Sequence, residues 1–183
     1  MDGRDPSDDR PAVIMAQDEG RFGRINDVRR AWVPAGIRPT APRQIIRQYL
    51  YAYVAVCPTT GFMTSLVLPW VNSQMMSLFL ENVSEALPDN FIIMLVDGAG
   101  WHTSKKLRVP ENMALVRQPS HSPELNPVEH IWEEIREKNF YNKAMNSLDE
   151  VEDVLCEGLR DLMKNPETVR SMTNFPYLRG ITL

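Results

Sequence analysis

Apolar residues fall in short, separated blocks along the chain, and their spacing changes from block to block. Ala12–Gln17 (AVIMAQ) is a strand-length run that ends at Asp18-Glu19-Gly20. Gln48–Cys57 and Phe62–Leu68 are rich in aromatic and β-branched residues, and the Pro-Thr-Thr-Gly between them predicts a hairpin. Arg30–Gly36 reads as a further, edge-like strand, limited by Pro34. The period then changes. Met76, Phe79, Leu80, Val83 and Leu87 recur at helical spacing over Ser73–Leu87, with Ser73 as N-cap and Pro88 as terminator. Phe91–Val96 (FIIMLV) is apolar at every position, the mark of a strand covered on both faces. Thr103–Leu107 reads as a short helix, Met113–Arg117 as a short strand, and Pro119–Pro127 as a proline-punctuated loop. A helix begins at Asn126-Pro127, the residue types favoured at N-cap and first helical position. A last helix covers about Ser147–Met163.

Three consecutive strands joined by tight turns should be antiparallel, and later strands separated by helices should run parallel to the first. The expected fold is α/β: a mixed five-stranded sheet with helices on both faces, in one domain over residues 12–183 after a disordered lead-in of residues 1–11.

Composition changes this picture little. Apolar residues make up 43% and charged residues 24%, ordinary for a globular domain. Cys57 and Cys156 fit neither a disulfide framework nor metal-ligand spacing, so a reducing cytoplasm fits best. Met1–Arg10 has no apolar core of a signal peptide, and Phe91–Val96 is too short to span a bilayer. Charge is more informative. The net charge is −4, but seven arginines (Arg21, Arg24, Arg29, Arg30, Arg38, Arg43, Arg47) stand against Asp27 between Gly20 and Leu50. That stretch is either a solvated arginine-rich surface or the footprint of an anionic partner.

Asp18 and Asp97 each follow an apolar strand directly, and in open α/β sheets ligands bind beyond those ends. On neighbouring strands two such carboxylates would repel, a conflict that a divalent cation with a taste for hard oxygen ligands removes. Each aspartate alone also fits a turn, Asp97-Gly98 especially. Glu129 has two readings that spacing does not separate. It fits the glutamate of a capping box opened by Asn126, and it fits a ligand held over the sheet end by a helix whose apolar face is Val128, Ile131, Trp132 and Ile135. His102, five residues after Asp97, is a candidate for the site mouth, where it would touch substrate or a phosphate. Trp101 and Trp132 read as core. Nucleophile-elbow, phosphate-loop and Cys-x-x-Cys patterns are missing from the sequence.

Three segments together resemble the insertion sequence 630 transposases, relatives of the mariner elements. They are Gln17–Gly23 (QDEGRFG), Val96–His102 (VDGAGWH) and Pro119–Trp132 (PSHSPELNPVEHIW), and the resemblance covers about residues 12–145. The third segment is the most specific. Matching residue to residue places the family's catalytic and metal-holding acids on Asp18, Asp97 and Glu129.

The resemblance implies a ribonuclease-H-like fold and cut-and-paste DNA transposition with two Mg²⁺ or Mn²⁺ ions clamping the scissile phosphate. It implies double-stranded DNA as partner, at transposon ends and target, and a homodimer in the synaptic complex. With it, Arg21, Arg24, Arg29, Arg30 and His102 become candidate DNA contacts. Family members carry N-terminal helix-turn-helix domains ahead of the first acidic motif, which here begins at residue 17. The expectation is a truncated or separately encoded catalytic half that grips phosphates with little sequence preference. Two other readings are another ribonuclease-H-like nuclease and a catalytically silent remnant that binds DNA or dimerises.

Overall fold

The computed structural model describes residues 4–30, 32–102, 104–119 and 122–178. Among them, β1 (Ala12–Ile25), β2 (Ile45–Val56), β3 (Met63–Leu68), β4 (Phe91–Val96) and β5 (Met113–Arg117) form one sheet in the order β3-β2-β1-β4-β5. The pairs β1–β2 and β2–β3 are antiparallel, whereas β4 lies parallel to β1 and β5 parallel to β4. This is the mixed sheet that the block order predicts.

Three elements differ from the sequence expectation. β1 runs 14 residues, well past its apolar block, so Asp18 lies inside the strand rather than at its end. Its second half survives because β2 keeps pairing with it, through Asp18↔Val54 and on to Phe22↔Leu50, while parallel pairing with β4 stops at Ala16↔Leu95. Arg30–Gly36 holds no strand over its described residues. The chain turns there, with Ile37 N–H donating to the Pro34 carbonyl at 3.2 Å and Gly36 at φ 88°. Thr103 lies outside the described residues, and Ser104–Leu107 is a turn rather than a helix, closed by Leu107 N–H on the Ser104 carbonyl at 3.0 Å.

Helices cover both faces. α1 (Ser73–Ala86) is capped by Asn72, one residue before the expected Ser73, because the Asn72 side chain accepts from the N–H groups of Gln74 and Met75. Its Met76, Phe79, Leu80 and Val83 pack on Met15, Tyr53, Ile92 and Met94. On the other face lies α2 (Val128–Ile135), which runs on into a π-helical turn (Arg136–Phe140), together with α3 (Leu148–Met163), capped by Ser147. Trp132, Ile135, Val151, Leu155 and Leu159 pack there on Ala16, Phe22 and Val54. Gly158 allows the close approach: a Cβ on it would lie 2.9 Å from the Ile135 methyl. A fourth helix, α4 (Pro166–Thr173), has no counterpart in the sequence expectation and buries Val169 and Thr173.

The segment expected as a disordered lead-in makes, over residues 4–11, a turn tied by an Arg10–Asp8 ion pair (2.7 Å), with the Arg4 guanidinium 4.9 Å above the Phe91 ring. Near residue 178 the chain returns to the turn at Leu125 and the head of α2. Phe175 packs edge-on against His130, and the Tyr177 hydroxyl donates to the Leu125 carbonyl. No described helix is long and apolar enough to cross a membrane.

Candidate active site

The parallel register between β1 and β4 advances one residue for one, and its last pair is Ala16↔Leu95. Asp18 stands two residues beyond Ala16 in β1, and Asp97 two residues beyond Leu95, directly after β4. Side chains alternate across a sheet, which puts Asp18 on the face of Ala16 and Phe22. Both belong to the core under α2. That is the face on which Glu129 sits, in the first turn of α2.

Asp18 is held from below. The indole N–H of Trp132 donates to its Oδ2 at 3.0 Å. Gly20 leaves room for this ring, since a Cβ there would lie 2.9 Å from the indole and 2.8 Å from Phe22. Burial raises the Asp18 pKa to about 7. The negative charges of Glu129 and Glu19 push in the same direction, while the Trp132 bond and the Glu19 backbone N–H pull it back.

Glu129 is half-buried and close enough for its charge to act on Asp18. Just ahead of α2, Asn126 Oδ1 accepts from Val128 N–H at 3.1 Å, while Asn126 Nδ2 donates to the Gln17 carbonyl at 3.4 Å. These bonds tie the head of α2 to β1 beside Asp18. Glu124, Glu129 and Glu133 line one open cleft of about 330 Å³ with Asn126 and His130.

Asp97 is ordered differently. Its Oδ1 accepts from Ala99 N–H at 2.8 Å, and the His102 Nδ1 lies 2.8 Å from the same oxygen and 3.2 Å from the Asp97 carbonyl. The opposite ring nitrogen, Nε2, lies 3.2 Å from Glu19 Oε1, which also accepts from the Trp101 indole at 3.2 Å. The His102 and Glu19 side chains are only 1% and 5% exposed. Burial alone would lower the His102 pKa, but the Glu19 bond and charge, with Asp97 behind them, raise it overall. His102 therefore stands not at a mouth open to phosphate, as its sequence position suggested, but enclosed between two carboxylates.

Sequence reading missed Glu19 altogether. Its neighbour Asp18 drew attention, and its partners lie 82 and 83 residues away. The arginines divide. Arg24 is bonded to the Met145 carbonyl at 3.0 Å and to the Gln48 side chain at 2.9 Å. Arg21 stacks on Tyr49 and Arg29 on Tyr141, at 4.7 and 3.9 Å. Arg30 is exposed in the loop between β1 and β2.

The donor set suits a hard divalent cation. It is made of carboxylate oxygens, and one of them carries a raised pKa that a cation would reverse. Among the described residues no three acid, histidine or cysteine side chains converge on one point that could hold an ion. The charge of Glu129 reaches Asp18, whereas Asp97 is engaged by Ala99 and His102.

This sheet order, with its acids at the end of the central parallel pair, defines a ribonuclease-H-like domain. The chain belongs to the DDE superfamily endonucleases, whose family model matches residues 13–152. It is 33% identical over 125 residues to the Sinorhizobium fredii (strain NBRC 101917 / NGR234) protein "Uncharacterized protein y4pE/y4sA", a span of 68% of this chain and 93% of that one. Among solved structures, the Mos1 mariner paired end complex with Mn is similar at a TM-score of 0.60 and 20% identity, over 89% of this chain and 56% of that chain. A pre-cleavage Mos1 transpososome gives a TM-score of 0.60 at 18% identity, with the same coverage. A simian T-cell lymphotropic virus intasome gives 0.51 at 10%, over 84% of this chain and 54% of that chain. At such identities the likeness is one of fold, and the chain spans a little over half the length of the Mos1 chains.

Proposed function

We propose that residues 12–183 form the catalytic domain of a transposase of the insertion sequence 630 kind, which cleaves DNA strands and joins them to a target. The observation that carries this reading is that Asp18 and Asp97 each stand two residues beyond the last parallel pair of β1 and β4, with the charge of Glu129 reaching Asp18 from α2. Asp18, Asp97 and Glu129 would hold two Mg²⁺ or Mn²⁺ ions. Mos1 complexes with Mn and with Mg support this choice by fold likeness. When bound, such a pair supplies charge stabilisation at the scissile phosphate and an activated water or 3′-hydroxyl.

The chain's own residues do the rest. Trp132 fixes the Asp18 carboxylate, and the Asn126 bonds fix the turn that carries Glu129. Phosphates of double-stranded DNA would lie along Arg21, Arg29 and Arg30, with Arg24 bracing the base of the loop. Transposon ends and target are the natural substrates in this reading, and a homodimer would hold two ends in a synaptic complex.

The test is nicking of a supercoiled plasmid with Mn²⁺. Asp18→Asn, Asp97→Asn and Glu129→Gln should each reduce nicking by orders of magnitude while leaving the far-ultraviolet circular dichroism unchanged. A fully active Asp97→Asn would remove the reading.

A further inference from the structure

β1 sends consecutive side chains to opposite faces of the sheet, and the pair Asp18-Glu19 uses both. Asp18 faces α2 and takes its orienting bond from Trp132. Glu19 faces the other way, is 5% exposed, and has no solvent to stabilise its charge. Two ring N–H groups do so instead, from Trp101 and His102, each at 3.2 Å. Having both on one oxygen leaves the imidazole little freedom to rotate. Its far nitrogen then lies 3.2 Å from the main-chain carbonyl of Asp97 and 2.8 Å from that residue's Oδ1.

We infer that Glu19 and His102 form a positioning relay, through which β1 sets the orientation of the Asp97 carboxylate as well as presenting Asp18. Oδ1 of Asp97 is occupied by His102 and Ala99, so the relay leaves Oδ2 as the oxygen presented to a cation. Trp101 holds the same Glu19 oxygen. Neither Glu19 nor His102 touches substrate in this role. They act on a ligand, as outer-shell partners of metal sites do, and removing such a partner costs about 10- to 100-fold in metal affinity. The inference rests on the metal-binding reading of the three acids.

The experiment is Mn²⁺ binding to the full chain, followed by isothermal calorimetry or by the free-ion electron paramagnetic resonance signal, with no turnover needed. The two amides dissect the ring. In His102→Gln the amide nitrogen stands near the Nε2 position, keeping the bond to Glu19 and giving up the one to Asp97. In His102→Asn it stands near Nδ1, keeping Asp97 and giving up Glu19. His102→Gln should weaken Mn²⁺ binding by about 10-fold or more, and His102→Asn by clearly less. In an Asp97→Asn background, adding His102→Gln should change the affinity by less than about two-fold, because a residue acting through Asp97 has nothing left to act on. Should His102→Gln not fold, the same cycle is run with Glu19→Gln, which keeps volume and removes the charge that holds the ring; it should weaken binding only when Asp97 is present. Wild-type affinity in His102→Gln, or an equal loss with and without Asp97, overturns the relay. Wild-type protein that binds no Mn²⁺, or binding that survives Asp97→Asn undiminished, overturns the metal reading and the relay with it.

Discussion

The indole N–H of Trp132 donates to the Asp18 carboxylate at 3.0 Å, across 114 residues of sequence. The ring is 1% exposed and lies edge-on to Phe22, so the bond is set by core packing rather than by a mobile surface group. Trp132→Phe keeps an aromatic in the core and removes the donor. A hydrogen bond to a charged group contributes about 1.5–3 kcal/mol, against about 0.5–1.5 for a neutral one. The expected loss of stability in urea is therefore larger at pH 8, where Asp18 is charged, than at pH 5, where it is protonated. Equal losses at both pH values would show that only packing was removed. Gly20→Ala probes the same bond from the strand, because its Cβ would meet the indole at 2.9 Å and force the ring to shift. Overpacking of this kind typically costs about 1–3 kcal/mol, and Mn²⁺-dependent nicking should fall with it.

Asp18 also fixes the pH dependence. Its folded-state pKa is raised from 3.8 to about 7. For a raised carboxyl, the stabilising contribution is fully present below about pH 4 and is lost as pH rises through about 7. Metal-free protein should therefore lose this contribution between about pH 4 and 7, and Asp18→Asn should flatten that part of the stability curve. A bound cation favours the carboxylate, so binding should expel a proton below about pH 7 and tighten as pH rises. Calorimetry in two buffers of different ionisation enthalpy reads the proton directly. Zero protons released at about pH 6 would exclude Asp18 as a ligand with this pKa.

Metal should stabilise the fold. With a Kd near 1 mM, an added 10 mM Mg²⁺ contributes roughly 1.4 kcal/mol. For a chain of this size that raises Tm by about 3–6 °C. Ca²⁺ should raise Tm as well without supporting cleavage. The shift should vanish in Asp97→Asn, and an equal shift in both proteins would place the ion elsewhere.

Much of this architecture was written in apolar spacing. β4 is apolar at all six positions because it is flanked on both sides and covered on both faces. The extension of β1 past Gln17 was hidden, because DEGRFGRI owes its strand state to pairing with β2, and Phe22 is its one buried apolar side chain. Trp32 and Val33 made Arg30–Gly36 look like a strand, yet both are exposed and Pro34 and Gly36 turn the chain. α4 buries too few apolar residues to show a stripe, and Pro166 in its first turn was the available cue. The three acids stood out because Asp18 follows an apolar block, Asp97 follows β4 and Glu129 opens α2. Glu19 and the enclosure of His102 could not, since a buried carboxylate is visible only once distant partners are brought to it.

The loop between β1 and β2 is expected to meet DNA phosphates. Arg29→Ala/Arg30→Ala should weaken duplex binding and reduce the slope of log K against log salt by about 0.9 for each phosphate that an arginine no longer neutralises. Arg24→Ala should behave differently, lowering stability as well, because Arg24 links β1 to the Met145 carbonyl and Gln48. A double variant with wild-type affinity and slope would reduce the stretch to a solvated surface.

Glu129 rather than Glu124 should supply the third carboxylate, although both belong to one motif and line one cleft. Glu124 is exposed in a short turn over Pro123–Leu125. Glu129 stands on the first turn of α2, which Val128, Ile131, Trp132 and Ile135 anchor in the core and the Asn126 bonds pin to β1. A metal site needs ligands held to within about 0.5 Å, which the anchored residue meets. Its charge also reaches Asp18, as that of a co-ligand must. Glu129→Gln keeps size and removes this charge, so the Asp18 pKa should drop toward its ordinary value and metal-free stability at pH 8 should hold or rise slightly. Nicking should nevertheless fall by orders of magnitude, while Glu124→Gln should nick nearly as wild type. Normal nicking by Glu129→Gln with loss in Glu124→Gln would reverse the assignment. Normal nicking by both, beside an inactive Asp97→Asn, would move the third ligand to Glu133, which lines the same cleft one helical turn further on.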